Sequence, residues 1–141
     1  MQLTIRTLRS GWYDKDEILL HAAFQLLVDF VEQEHPDKHI DWNHDVVHRP
    51  AWKEIRDLYR WWTAIRSSRR GPLDDKRIAK PPLRFDKMAE MKFRKLATPN
   101  KKKYAAYYRA LKKQARLEQQ WHDEDQRNLH RFIEIRDFLW T

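Results

Sequence analysis

Apolar residues recur along this chain at spacings that belong to helices. Between Asp14 and Pro36 they fill Ile18-Leu19-Leu20, Ala22-Ala23-Phe24, Leu26-Leu27-Val28 and Phe30-Val31, most of a helical circumference. That pattern marks a central helix surrounded by other elements. Asp14 stands as its N-cap with Glu17 in the capping-box position, and Pro36 closes it after about Glu34. The polar positions Glu17, His21, Gln25, Asp29 and Glu32 step by four or three residues and form one narrow stripe. A second helix is predicted from Pro50, a favourable first helical residue. It runs through Trp52, Ile55, Tyr59, Trp62 and Ile65 to about Arg70, with Gly71 as its C-terminal cap. The adjacent Trp61 and Trp62 point about 100° apart on an α-helix, so one of them is expected to meet another element or a partner.

Further on, the periodicity predicts a third helix from Phe85 or Asp86 to Leu96. Thr98 and Pro99 are expected to open the last helical region, with Thr98 as cap and Pro99 in the first turn. Tyr104, Tyr107, Tyr108, Leu111, Trp121, Leu129, Phe132, Leu139 and Trp140 follow. Residues 99–140 read as one helix or as two with a break near His122 to Asp125, and both readings stand. In one continuous helix Asp125 falls on the apolar stripe of Trp121, Leu129 and Phe132, where a carboxylate needs a partner. In the broken version Asp123, Glu124 and Asp125 are exposed acids of a first turn, favoured by the helix dipole. Leu3, Ile5 and Leu8 alternate with polar residues, a weak signal for a strand or an extended arm that ends at Gly11. The expected fold is therefore all-α. It is a small bundle of four to five helices with a short extended N-terminal arm and a long C-terminal helical region. The 141 residues predict a single domain with a basic linker at 71–84 that contains Pro72, Pro81 and Pro82.

Composition narrows this picture. Only two glycines are present, which favours helices over turn-rich β folds. The absence of Cys excludes disulfides and thiolate zinc sites. The first residues lack a signal-peptide layout, and no apolar run reaches membrane-spanning length, so a soluble, intracellular protein without membrane contact is expected.

The formal net charge of +8 is unevenly spread. Residues 1–59 sum to −4, residues 60–116 to +15 and residues 117–141 to −3. Arg66, Arg69 and Arg70 end the second helix; Lys101, Lys102 and Lys103 precede Arg109, Lys112, Lys113 and Arg116. This density favours phosphate backbones through counterion release, and the interleaved Tyr104, Tyr107 and Tyr108 offer surfaces on which bases stack. Arg66, Arg69, Arg70, Lys101, Lys102, Lys103, Lys112 and Lys113 are the expected contacts to nucleic acid or to an acidic host protein. Two blander readings compete: a solvated helix face with its tyrosines turned inward, and a basic middle folded back on the acidic ends.

Two acidic pairs are candidates for chemistry. Asp29-x-x-Glu32 and Glu54-x-x-Asp57 each place two carboxylates on one helix face, where oxygen ligands suit a hard cation. Packed together, they would hold Mg²⁺ with a water aimed at a nucleotide phosphate. The four positions resemble the metal site of the all-α nucleotide pyrophosphohydrolases, which implies a Mg-dependent hydrolase as the alternative function. The first pair departs from that family in starting with Asp and lacking a neighbouring extra Glu. Glu134-x-x-Asp137 repeats the spacing, which shows how common it is. His44-x-x-x-His48, with His21 or Asp45, is a further metal candidate if helical. No Cys, no Gly-flanked Ser and no Gly-rich phosphate loop supports nucleophilic catalysis. The leading expectation is a non-enzymatic binding protein with no cofactor.

Three stretches carry a wider resemblance: Asp16 to Glu32, Trp52 to Trp62, and Glu134 to Thr141. Over residues 14–34, 50–66 and 121–141 the chain resembles a group of small uncharacterised proteins encoded by tailed bacteriophages. The resemblance implies a phage accessory protein acting in the cytoplasm of an infected bacterial host, in host takeover or counter-defence. It assigns no residue roles.

Overall fold

The computed structural model describes residues 2–87 and 94–140, and the side chains of 2–85 and 96–140. The chain is all-α in class. Its helices are α1 (Lys15–Gln33), a single turn α2 (Pro36–His39), α3 (His48–Arg60) and α4 (Ala105–Ile135). The fold divides into two compact units. The first comprises Met1–Arg69 with His122–Thr141, and the second Arg70–Trp121. α4 contributes residues 122–135 to the first unit and 105–121 to the second. Among the described residues no helix is long and apolar enough to cross a membrane.

The first unit holds the hydrophobic core. α1 lies at its centre, as its apolar circumference predicts, with Phe24 and Leu27 fully buried. α3 adds Ala51, Ile55 and Leu58 at helical spacing, and α4 adds Phe132 and Ile135. The Phe24 ring stacks on Trp62 at 4.7 Å between centroids and is tilted against Trp61 at 5.1 Å. Both indoles are thus buried against Phe24 of α1, so each meets another element, where the sequence expects this of one of them. After Arg60 the helix continues into a π turn, Trp61–Ile65, with Arg66 N–H bonded to the Trp61 carbonyl five residues back. A 3₁₀ turn, Arg66–Ser68, ends the segment. Gly71 lies beyond it at a φ of −106°, so it is not the helix cap.

Termini and caps also differ in detail. Asp14 is the N-cap of α1, but its side chain makes no capping bond. α3 begins two residues before Pro50, because Asp45 Oδ1 accepts from the backbone N–H groups of Val47 and His48 at 2.8 and 2.7 Å. The N-terminal arm contains no strand. It covers the polar stripe of α1: Arg6 N–H donates to Gln25 Oε1 at 3.0 Å and Thr7 Oγ1 lies 2.6 Å from His21 Nδ1. Those bonds satisfy polar groups that would otherwise be costly to bury on the central helix.

In the second unit a 3₁₀ turn, Pro72–Asp74, follows Gly71. Strands β1 (Phe85–Lys87) and β2 (Arg94–Leu96) pair antiparallel, with Phe85 opposite Leu96. The helix expected over 85–96 is therefore absent at both described ends; its middle, 88–93, lies outside the described residues. Phe85 and Leu96 are both exposed. The two face each other as a cross-strand apolar pair. Thr98 and Pro99 do not start a helix either. Asn100 does the capping: its Oδ1 accepts from the N–H groups of Lys102 and Lys103 at 3.0 and 3.1 Å, and α4 begins at Ala105. From there α4 runs unbroken through residues 122–125, which settles the last region as one helix.

Candidate nucleic-acid interface

The second unit carries 16 basic and 5 acidic side chains, net +11, while the first carries 13 and 16, net −3. Its basic residues gather at the start of α4. Lys101, Lys102 and Lys103 form the turn that Asn100 caps, and all three are exposed. Arg109, Lys112, Lys113 and Arg116 follow at steps of three and four, so they share one exposed helix face. Ala110, Gln114 and Leu117 lie on the opposite, less accessible side. Gly71 belongs there by necessity: a Cβ on it would sit 1.9 Å from Gln114 Oε1. Among the described residues, none of these seven cations has a carboxylate partner. A lone cluster of such charges is strained electrostatically and attracts anions.

Beside the lysine turn lies a cleft of about 660 Å³ whose lining includes Arg84, Phe85, Asn100, Lys103 and Tyr104. It places two cations and two aromatic rings within one concavity. Lys103 Nζ stands 5.5 Å from the Tyr104 ring centroid. Tyr107 and Tyr108 meet edge-on at 5.4 Å, half-buried along the neighbouring strip of α4. Arg84 and Phe85 are absent from the sequence prediction, because nothing in their local pattern reveals that the chain folds back beside Lys103.

The predicted contact residues therefore separate. Lys101, Lys102, Lys103, Lys112 and Lys113 lie together on this surface. Arg70 is exposed in the same unit. Arg66 and Arg69 are turned into the first unit, onto Asp125. Arg66 Nη2 donates to Asp125 Oδ2 at 3.1 Å and its Nε approaches both carboxylate oxygens, at 3.2 and 3.3 Å. Arg69 Nη2 lies 2.9 Å from Asp125 Oδ1 and also pairs with Glu124. The two guanidiniums stand over Trp62 and Trp61, at 4.6 and 5.7 Å from the ring centroids. Asp125, buried on the apolar stripe, thus has the partner that a continuous helix demands, and Arg66 and Arg69 serve the core.

Each of the four acids of the metal reading is engaged by a partner of its own. Asp29 accepts from Arg6 at 2.6 Å, Gln25 at 2.8 Å and Gln33 at 3.0 Å. Glu32 accepts from the Tyr59 hydroxyl at 2.9 Å, which raises the phenol's pKa above its ordinary value. Glu54 is forked by Arg131, whose pKa that bond raises. Asp57 pairs with Lys53 at 2.7 Å, which lowers its pKa. Among the described residues no three His, Cys, Asp or Glu side chains come close enough to form a metal site. His48 is bonded to Asp45 at 2.9 Å, with its ring 6.5 Å from His44. The backbone N–H of His48 is the chief cause holding the Asp45 carboxyl down at about 2. His21 is buried at 7% exposure against the edge of Trp62; burial first, then the Arg66 charge, lowers its pKa.

No family model, no curated protein and no solved structure matches this chain.

Proposed function

We propose that this chain acts by binding nucleic acid with unpaired bases through the basic surface of its second unit. The observation that carries this reading is the row of seven exposed cations, Lys101 to Arg116, without carboxylate partners among the described residues. Phe85 and Tyr104 beside them give bases a place to stack. In the infected bacterium implied by the phage resemblance, such a protein serves as an accessory factor without enzymatic chemistry of its own.

The test is a salt titration with labelled single-stranded DNA and RNA. Each phosphate neutralised contributes about −0.7 to the slope of log affinity against log salt, so seven contacts set a limit near −5. Lys101→Glu/Lys102→Glu/Lys103→Glu should lower affinity at least tenfold and flatten that slope. Absence of binding to any nucleic acid at low salt refutes the reading and leaves an acidic host protein as the partner of this surface.

A further inference from the structure

The first unit is net acidic, yet one face of it is not. Arg49, Lys53, Arg56 and Arg60 recur on α3 at steps of four, three and four, which aligns them along one side of the helix. Summing charge over residues 1–59 hides the first three, because acids elsewhere in that stretch outnumber them, and Arg60 falls in the next segment. The cations line an open cleft of about 700 Å³ together with Trp42 and Trp52. A second cleft of about 380 Å³ adjoins it, sharing Asp57 and Arg60 and adding Arg127 and Arg131 from α4.

Ion pairing sorts these residues. Lys53 is neutralised by Asp57, and Arg131 by Glu54. Arg49, Arg56, Arg60 and Arg127 are all exposed, and none forms a salt bridge among the described residues, although Arg56 is close enough to Asp57 to help lower its pKa. The same unit provides Asp125 and Glu124 for Arg66 and Arg69, so acids are available to arginines that need them. Arg56 is also oriented: its guanidinium carbon lies 5.6 Å from the Trp52 centroid, and Trp52 is itself stacked on the buried Trp42 at 4.9 Å. An indole platform fixed from beneath holds a guanidinium in place at low entropic cost.

We infer that this α3 face is a second phosphate-binding surface, and that its ligand is the backbone of a nucleic-acid strand. Arginine forks suit phosphate oxygens better than point charges do. From Arg49 to Arg60 the helix advances about 16 Å, at 1.5 Å per residue. A strand in stacked geometry places a phosphate every 3.4 Å or so, and about five of them span that distance. Two adjoining open clefts, one along α3 and one leading from Arg60 onto α4, fit a polymer; a free nucleotide would occupy one end. The inference goes beyond the lysine surface of the second unit and stands without it.

The experiment uses the full chain and a short labelled oligothymidine. Affinity and salt slope are measured for the wild type, for Lys101→Glu/Lys102→Glu/Lys103→Glu, for Arg49→Gln/Arg56→Gln/Arg60→Gln, and for both sets combined. The arginine set should lower affinity at least tenfold and reduce the slope by about 2, at roughly 0.7 for each phosphate no longer neutralised. The effect should persist in the lysine-variant background. Circular dichroism checks the fold; if the arginine set fails to fold, Arg127→Gln alone should still weaken binding several-fold. Binding abolished by the lysine set and unchanged by the arginine set overturns this inference and leaves the proposed function. Binding abolished only by the arginine set supports it and overturns the lysine surface. No binding by the wild type overturns both.

Discussion

Asp125→Asn removes one charge from a buried triad and leaves the shape almost unchanged. The Asp125 carboxylate is 13% exposed, with Arg66 and Arg69 side chains at 23% and 14%. At an effective dielectric of 20, each contact near 3 Å has a gross attraction of about 5 kcal/mol. Desolvation of three ions cancels most of that in the intact protein, so the triad adds little net stability. The variant changes the balance sharply, since two guanidiniums then face each other without their shared counter-charge. Breaking a buried pair in this way costs about 3–5 kcal/mol. The lower end applies, because Glu124 still faces Arg69. Urea unfolding should show a loss of about 3 kcal/mol with the m-value unchanged. A companion variant, Arg66→Met/Arg69→Leu/Asp125→Leu, removes every charge and should lie within about 2 kcal/mol of wild type. Part of any deficit comes from removing the cations that pack on Trp61 and Trp62, about 1 kcal/mol for each. A cost below about 1 kcal/mol for Asp125→Asn, or a triple variant much worse than the single one, refutes the reasoning.

Two further outcomes test the core. Phe24→Ala deletes a fully buried ring that touches Trp61, Trp62 and Phe132, and should cost about 3–5 kcal/mol in the same unfolding assay. Burial, then the Arg66 charge, lowers the folded pKa of His21 below the ordinary value of 6.5. Between the two values the unfolded chain binds more protons, and stability therefore rises with pH there and is lost as pH falls through the folded value. The urea midpoint should drop on acidification below about 6.5, and His21→Gln should flatten that dependence; an unchanged profile contradicts the assignment.

Much of the helical scaffold is determined by local sequence. The span of α1 follows from its near-continuous apolar circumference and the stop at Pro36, the buried stripe of α3 from Ile55 and Leu58, and the charge segregation from simple counting. Such features depend on residues within a turn or two of each other. Tertiary structure decided the rest. Arg66 and Lys101 look equivalent as members of basic runs, yet Arg66 meets a carboxylate 59 positions away and Lys101 meets none among the described residues. Helical periodicity over 85–96 yields to strand pairing at both described ends, where Phe85 and Leu96 pair and stay exposed. The polar stripe from His21 to Asp29 gains its partners from an arm whose own pattern shows only loose alternation. For Arg66 and for the stripe the deciding energy is a long-range interaction: a side chain's charge is written in its sequence, but its availability depends on what the fold brings beside it.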